Sequence, residues 1–220
     1  MTGTDISGRR RAIYVALALL SLFSVALIAA RYVYSGEPLF GYLIWNLFLA
    51  WIPFGLAIVL YDRHRAGTRP LRLLPLAALW LLFLPNAPYI ITDFKHLVPS
   101  ASAPLWVDIV VIAAPAWTGM LLGFLSLYLV QSVVRDLAGA RVAWAAAVAV
   151  LGLASFGIYL GRVLRWNSWD VLANPYLLSD LDGVVADPIA IGMTVLLAGF
   201  LTLSYLVVYA FMRFEAESST

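Results

Sequence analysis

Two short stretches of this chain concentrate side chains able to do chemistry. The first, Leu84-Pro85-Asn86-Ala87-Pro88-Tyr89-Ile90-Ile91-Thr92-Asp93-Phe94-Lys95-His96-Leu97, sets a carboxylate and an imidazole three residues apart. On a helix resumed after Pro88 these two groups share a face. A general acid/base pair, a pair of metal ligands or a mutually orienting hydrogen bond each needs that arrangement. Asp93 and His96 are therefore the catalytic candidates, with Asn86 and Tyr89 as candidate ligand-binding neighbours. An ordinary ion pair at an interfacial helix end would use the same residues.

The second stretch is Tyr159-Leu160-Gly161-Arg162-Val163-Leu164-Arg165-Trp166-Asn167-Ser168-Trp169-Asp170. Arg162 and Arg165 lie one helical turn apart, and planar guanidinium groups clamp carboxylate or phosphate through paired N–H donors. Arg162, Arg165, Asn167, Trp169 and Asp170 are the ligand-binding candidates here, joined by Asp108 from a third segment that also carries Trp106. Arginine and tryptophan at a helix end also serve as plain interfacial anchors. Asp93, Asp108 and Asp170 are the carboxylates available to compensate the arginines. Deeper along the helices, Asn46, Asn86 and Ser155 sit at similar depth, and an amide in hydrocarbon needs a partner. Asn46 and Asn86 are expected to face the bundle interior, toward each other or toward carbonyls released by the prolines.

No metal or other cofactor is expected. Asp93, His96, Asp108 and Asp170 offer one nitrogen and several oxygens, whereas catalytic zinc usually takes more than one histidine, and two nearby arginines disfavour a cation. The chain has no cysteine, which removes disulfides, thiolate metal sites and a Cys nucleophile. No serine occupies a nucleophile-elbow motif.

The elements that must carry these groups are membrane helices. Of 220 residues 63% are hydrophobic and 12% charged, roughly half the charged fraction of a soluble domain. The stretches 12–30, 38–61, 73–92, 109–134, 142–161 and 188–212 contain no Asp, Glu, Lys or Arg. Each is long enough to cross a hydrocarbon core of about 30 Å. With interfacial ends included, the fourth and fifth helices run over 105–134 and 142–164. Lipid cannot satisfy open backbone groups, so the fold class is all-α: six transmembrane helices forming a single domain over 1–220. The first stretch, after Arg9, Arg10 and Arg11, is longer than a signal-peptide core and is expected to be a retained anchor. Gly119-Met120-Leu121-Leu122-Gly123 and Gly157-Ile158-Tyr159-Leu160-Gly161 have the spacing that lets helix backbones approach. Pro53, Pro85, Pro88 and Pro115 are expected to kink or break helices two, three and four. Asp187-Pro188 reads as the cap and first turn of helix six. Between helices five and six, Trp166, Trp169, Leu172 and Tyr176 recur at three or four residues, which predicts a short interfacial helix.

Orientation follows from Lys and Arg in the connections. With the N-terminus inside, Arg9, Arg10, Arg11, Arg63, Arg65, Arg69, Arg72, Arg135, Arg141 and Arg213 lie inside. Arg31, Lys95, Arg162 and Arg165 lie outside, ten against four. Both termini are thus expected in the cytoplasm, and the outer ends of helices three, four and five at one membrane surface.

The two quoted stretches, Pro85 through Asp93 with His96 and Gly161 through Asp170, resemble the signatures of a bacterial membrane-protein family catalogued as domain of unknown function 1361. The resemblance covers the chain from about helix two to helix six. It implies a multi-pass bacterial membrane protein, without an activity, cofactor or catalytic residue to carry over.

Three functions fit these residues. The first is binding or processing of an anionic lipid or lipid-linked headgroup at the extracytoplasmic face of the plasma membrane. There Arg162, Arg165 and Asn167 would hold the anion, and Asp93 and His96 would supply acid/base chemistry. The second is a structural or assembly partner with no ligand. The third is a small transporter, against which no ionisable group lies near the midplane and no inverted repeat is visible. The partner common to all three is the lipid bilayer. The charge excess of +2 is too small to argue for nucleic acid, and composition leaves the oligomeric state open.

Overall fold

The structure is a computed structural model describing residues 3–99, 102–168, 170, 183–184 and 187–218. Among these the regular structure is entirely helical. The helices are α1 (Gly3–Ser35), α2 (Tyr42–Arg65), α3 (Pro70–Phe83), α4 (Asn86–Tyr89), α5 (Leu105–Ala138), α6 (Ala140–Tyr159) and α7 (Pro188–Ser218). A 3₁₀ segment, Ile90–His96, continues α4, and one π turn, Leu160–Leu164, continues α6. Among the described residues six helical stretches are long and apolar enough to cross a membrane: Arg10–Ser35, Tyr42–Arg65, Pro70–His96, Leu105–Ala138, Ala140–Leu164 and Pro188–Arg213. They coincide with the six stretches read from the sequence. The protein is a multi-pass membrane protein.

Successive spans alternate in direction, and polar contacts tie matching ends together. At one end Arg10 of α1 grips Asp62 of α2 through two hydrogen bonds of 3.0 and 3.1 Å. His64 meets Asp136 of α5 at 3.4 Å, and Arg135 donates to the Tyr209 hydroxyl of α7 at 3.0 Å. A single glycine, Gly139, reverses the chain between α5 and α6 with φ 84°, a conformation that other residues adopt only with strain. At α7, Asp187 accepts the Ile189 N–H at 2.9 Å ahead of Pro188, which is the cap expected from the sequence.

The central element is α5, whose buried face runs from Asp108 to Val133. On one side it packs with α1, α2 and α4 around Leu43, Phe54, Ile90 and Ile112; on the other, with α3, α6 and α7 around Trp80, Phe124, Leu151 and Tyr205. The hydroxyls of Ser24, Thr118, Ser126 and Ser155 turn back on their own helices. Ser155, for example, donates to the Leu151 carbonyl at 2.8 Å, which removes the cost of an unpaired polar atom in an apolar medium.

Helices α2 and α5 run uninterrupted through Pro53 and Pro115; only the third span is broken, at Leu84–Pro85. The small-residue pairs of α5 and α6 explain how the broken segment is held. A Cβ at Gly119 would run into the Ala87 carbonyl oxygen, and one at Gly123 would lie 3.1 Å from the Ala87 Cβ. A Cβ at Gly157 would lie 2.7 Å from Pro85, and one at Gly161 would lie 3.1 Å from the Tyr89 ring. Both glycine pairs therefore seat one object, the Pro85–Tyr89 stretch, from opposite sides. Most of 171–187, with Leu172 and Tyr176 of the expected interfacial helix, lies outside the described residues.

Candidate functional site

The break in the third span fixes where its polar groups go. After Pro85 the chain tightens, the Ala87 N–H bonding the Leu84 carbonyl at 3.1 Å, so the Phe83 carbonyl loses its normal helical partner. Asn86 replaces that partner, its amide donating to the Phe83 carbonyl and to the Ser168 Oγ, each at 2.9 Å. Asn86 thereby ties the break to the segment that follows α6. Beyond it, the 3₁₀ turn repeats every three residues, so Ile90, Asp93 and His96 line one face. Ile90 and Asp93 are buried, and His96 emerges at the end with about half its side chain exposed (48%).

Asp93 is the hub. Its Oδ1 accepts from Arg162 Nη2 at 2.6 Å and its Oδ2 from Asn46 Nδ2 at 3.2 Å. Asn46 thus faces the carboxylate and not Asn86. The π turn of α6 carries Arg162 over the broken span. There its guanidinium stacks 4.3 Å above the Tyr89 ring and donates from Nε to the Thr92 hydroxyl at 2.8 Å, with Nη2 also reaching that hydroxyl. The Thr92 hydroxyl in turn donates a hydrogen bond to the Tyr89 carbonyl at 2.7 Å. Arginine has no acceptor, so in the contact of Arg162 Nη1 with His96 Nε2 at 3.4 Å the guanidinium is the only possible donor. The Asp93 to His96 distance is longer, 4.0 Å, so the two share a face while Arg162 lies between their chemistries. The His96 ring also meets Tyr42 edge-on at 5.8 Å.

Among the described residues this arrangement divides the candidate groups in two. Asp93, His96, Asn86, Tyr89 and Arg162 are brought together. Asp108 is held elsewhere, its Oδ1 accepting from Arg31 Nε at 2.6 Å in a pair with side chains only 3% and 1% exposed. Arg31 also donates to Ser102 at 3.2 Å, and Ser102 donates to Glu37 at 2.9 Å. This second cluster joins the end of α1 to the start of α5. Asp170 accepts both the Asn167 backbone N–H at 2.6 Å and the Asn167 amide at 2.9 Å, closing a local turn. Trp169 lies outside the described residues. No three imidazole or carboxylate groups come together as metal ligands would among the described residues.

Arg165 follows the π turn in the left-handed region, φ 61° and ψ 30°, and is exposed. Its backbone N–H bonds the Leu160 carbonyl, while its side chain forms no hydrogen bond or ion pair with the described residues. Lys95 is likewise exposed and makes no hydrogen bond or ion pair among them, and it stands within electrostatic reach of Arg162, Asp93 and Arg165. Two cations thus flank a hub whose own charges cancel. Thr92 and Lys95 were not singled out by the sequence reading. Their position beside Asp93 on a tightened helix end is the signal that could have found them.

Beside the hub lies a cavity of about 310 Å³ between α2, the broken span and α6, with Trp166, Asn167 and Ser168 at its rim. A family model described as Protein of unknown function (DUF1361) matches residues 45–204, which contain the hub, the cavity and both unpaired cations. No curated protein and no solved structure matches the chain.

Proposed function

The chain belongs to the family described as protein of unknown function DUF1361; that description names no activity, and we propose from the residues themselves that the protein binds an anionic lipid or lipid-linked headgroup. The observation that carries this reading is the pair of exposed, unpaired cations, Arg165 and Lys95, above a neutral buried hub and next to a cavity of ligand size. Arg162 commits Nε and Nη2 to Thr92 and Asp93 and turns Nη1 to His96, so its part is to position the π turn that presents Arg165. An isolated cation pair at a bilayer surface attracts phosphate or carboxylate, each basic side chain contributing about 1 kcal/mol near anionic headgroups. His96, half-exposed at the end of the 3₁₀ segment, is the acid/base group at the site and is where proton transfer to a bound headgroup would occur.

Purified protein in mild detergent is expected to retain an anionic lipid detectable by native mass spectrometry. A Lys95→Gln/Arg165→Gln protein should lose it by about two orders of magnitude in affinity, corresponding to roughly 1.5 kcal/mol for each charge-assisted hydrogen bond removed. Equal retention by both proteins would remove the basis of the reading.

We place this end of the bundle at the extracytoplasmic face of the plasma membrane, with both termini cytoplasmic, on the bias of arginines toward the opposite end. The absence of cysteine makes that side directly measurable. Single cysteines at Ser100 and Ser179 should react with an impermeant maleimide on intact cells, and one at Thr68 only after permeabilisation. Labelling of Thr68 before permeabilisation would invert the assignment.

A further inference from the structure

The cavity beside the hub is built with its polar groups at one end. Asn46, Asn86, Tyr89 and Ser168 line it toward the Asp93 end of the bundle, whereas Leu49, Leu81, Leu153 and Phe156 line it deeper along the spans. Along α6 the lining runs from Leu153 to Gly161, a rise of about 12 Å at 1.5 Å per residue. Trp45 on α2 and Leu153 on α6 flank it and are 54% and 55% exposed, so its side walls continue into the apolar surface that a spanning helix presents to lipid. At the polar end the Asn86 to Ser168 hydrogen bond closes the floor of the rim, and Arg165 immediately precedes Trp166 there.

A wall of this composition does not suit a wholly polar ligand. The deep half offers no hydrogen-bonding side chain, and a hydroxyl or charge placed there would be desolvated without compensation. It suits an alkyl or isoprenoid chain, which on entering from the bilayer gains through packing contacts. The polar end offers groups still open to a ligand. Asn86 Oδ1 has no partner among the described residues, and the Ser168 hydroxyl, which accepts from Asn86, keeps its proton to donate. The Ser168 proton suits an oxygen that links a headgroup to its chain, and Asn86 Oδ1 accepts from a hydroxyl or N–H of the headgroup. The order from surface to depth is cation pair, hydroxyl and amide, then hydrocarbon wall, which is the polarity order of an anionic amphiphile.

We propose that this cavity is a lateral binding groove that takes the apolar chain of the anionic amphiphile from the bilayer, while Arg165 and Lys95 hold its headgroup. The proposal rests on the headgroup reading above and extends it to the substrate class: a single-chain segment, entering sideways between α2 and α6.

The test uses the full-length protein in nanodiscs with two photoreactive probes, an alkyl phosphate and the corresponding alkyl alcohol, each carrying a diazirine in the chain. The alkyl phosphate is expected to label peptides containing Leu81 and Leu153. Leu153→Trp, which fills the mouth from an exposed position and should fold normally, is expected to reduce that labelling about tenfold by occluding the groove. Leu82→Trp serves as an independent second block. Labelling spread evenly over α1 and α7, the spans with the least buried surface, or labelling unchanged in both Trp proteins, would overturn the proposal. Cavity labelling by the alcohol as strong as by the phosphate, insensitive to Lys95→Gln/Arg165→Gln, would instead support the chain groove and contradict the headgroup reading.

Discussion

Arg162→Met is expected to lower the stability of the folded protein by about 3–5 kcal/mol, the usual consequence of leaving a buried carboxylate without its counter-charge. The expectation follows from what Arg162 touches. Asp93 is 1% exposed and loses its 2.6 Å partner, retaining only the weaker amide of Asn46. Thr92 and the Tyr89 ring lose the guanidinium that spans them. The Asp93→Leu/Arg162→Met double replacement is expected to recover most of the loss, because an apolar pair of similar volume carries no desolvation cost. Denaturant titration in mild detergent measures both. An Arg162 clamping a ligand directly would behave differently: the Met protein would unfold like wild type and fail only in lipid retention.

Gly119→Leu is expected to cost more than 3 kcal/mol or to prevent assembly of the bundle. Overpacking usually costs about 1–3 kcal/mol when a neighbouring side chain can move aside. Here the atom in the way is the backbone carbonyl of Ala87, and moving it displaces the whole Pro85–Tyr89 stretch with Asn86, Tyr89 and the hub behind them. Gly152→Ala in α6 is the control. Nothing lies within 4 Å of a Cβ there, so the change should be neutral or stabilising by up to about 1 kcal/mol through helix propensity. Thermal unfolding of the two proteins side by side distinguishes a packing seat from glycine merely tolerated in an apolar helix.

Much of the architecture was legible because the membrane imposes it. Runs without a charge must be spans, and the connections place Asp93, Asp108, Arg162 and Arg31 toward the same end. Which spans are neighbours was not legible. Asp108 was grouped with Arg162 because both terminate spans at that end, yet α1 packs on α5 and brings Arg31 to Asp108 at 2.6 Å. The prolines announced a broken third span, but Pro53 and Pro115 leave α2 and α5 uninterrupted. Proline alone therefore did not determine the break. The two glycine pairs were visible as close-approach motifs, whereas their common target depends on tertiary packing and has no signature in spacing. Likewise, Arg162 and Arg165 look equivalent one turn apart; the π turn and the left-handed Arg165 separate them into a buried strut and an exposed cation.

That separation gives the most direct test of the central claim, that Arg165 contacts the anionic headgroup. Arg165 holds a left-handed backbone conformation that costs an L-residue about 1–2 kcal/mol and glycine almost nothing. Arg165→Gly should therefore be as stable as wild type or more stable by about 1 kcal/mol. It should nevertheless fail to retain the anionic lipid. Measured together on one preparation, unchanged or raised stability with lost lipid is the predicted result. A protein that keeps its lipid at the wild-type level would contradict the assignment of Arg165 to the headgroup.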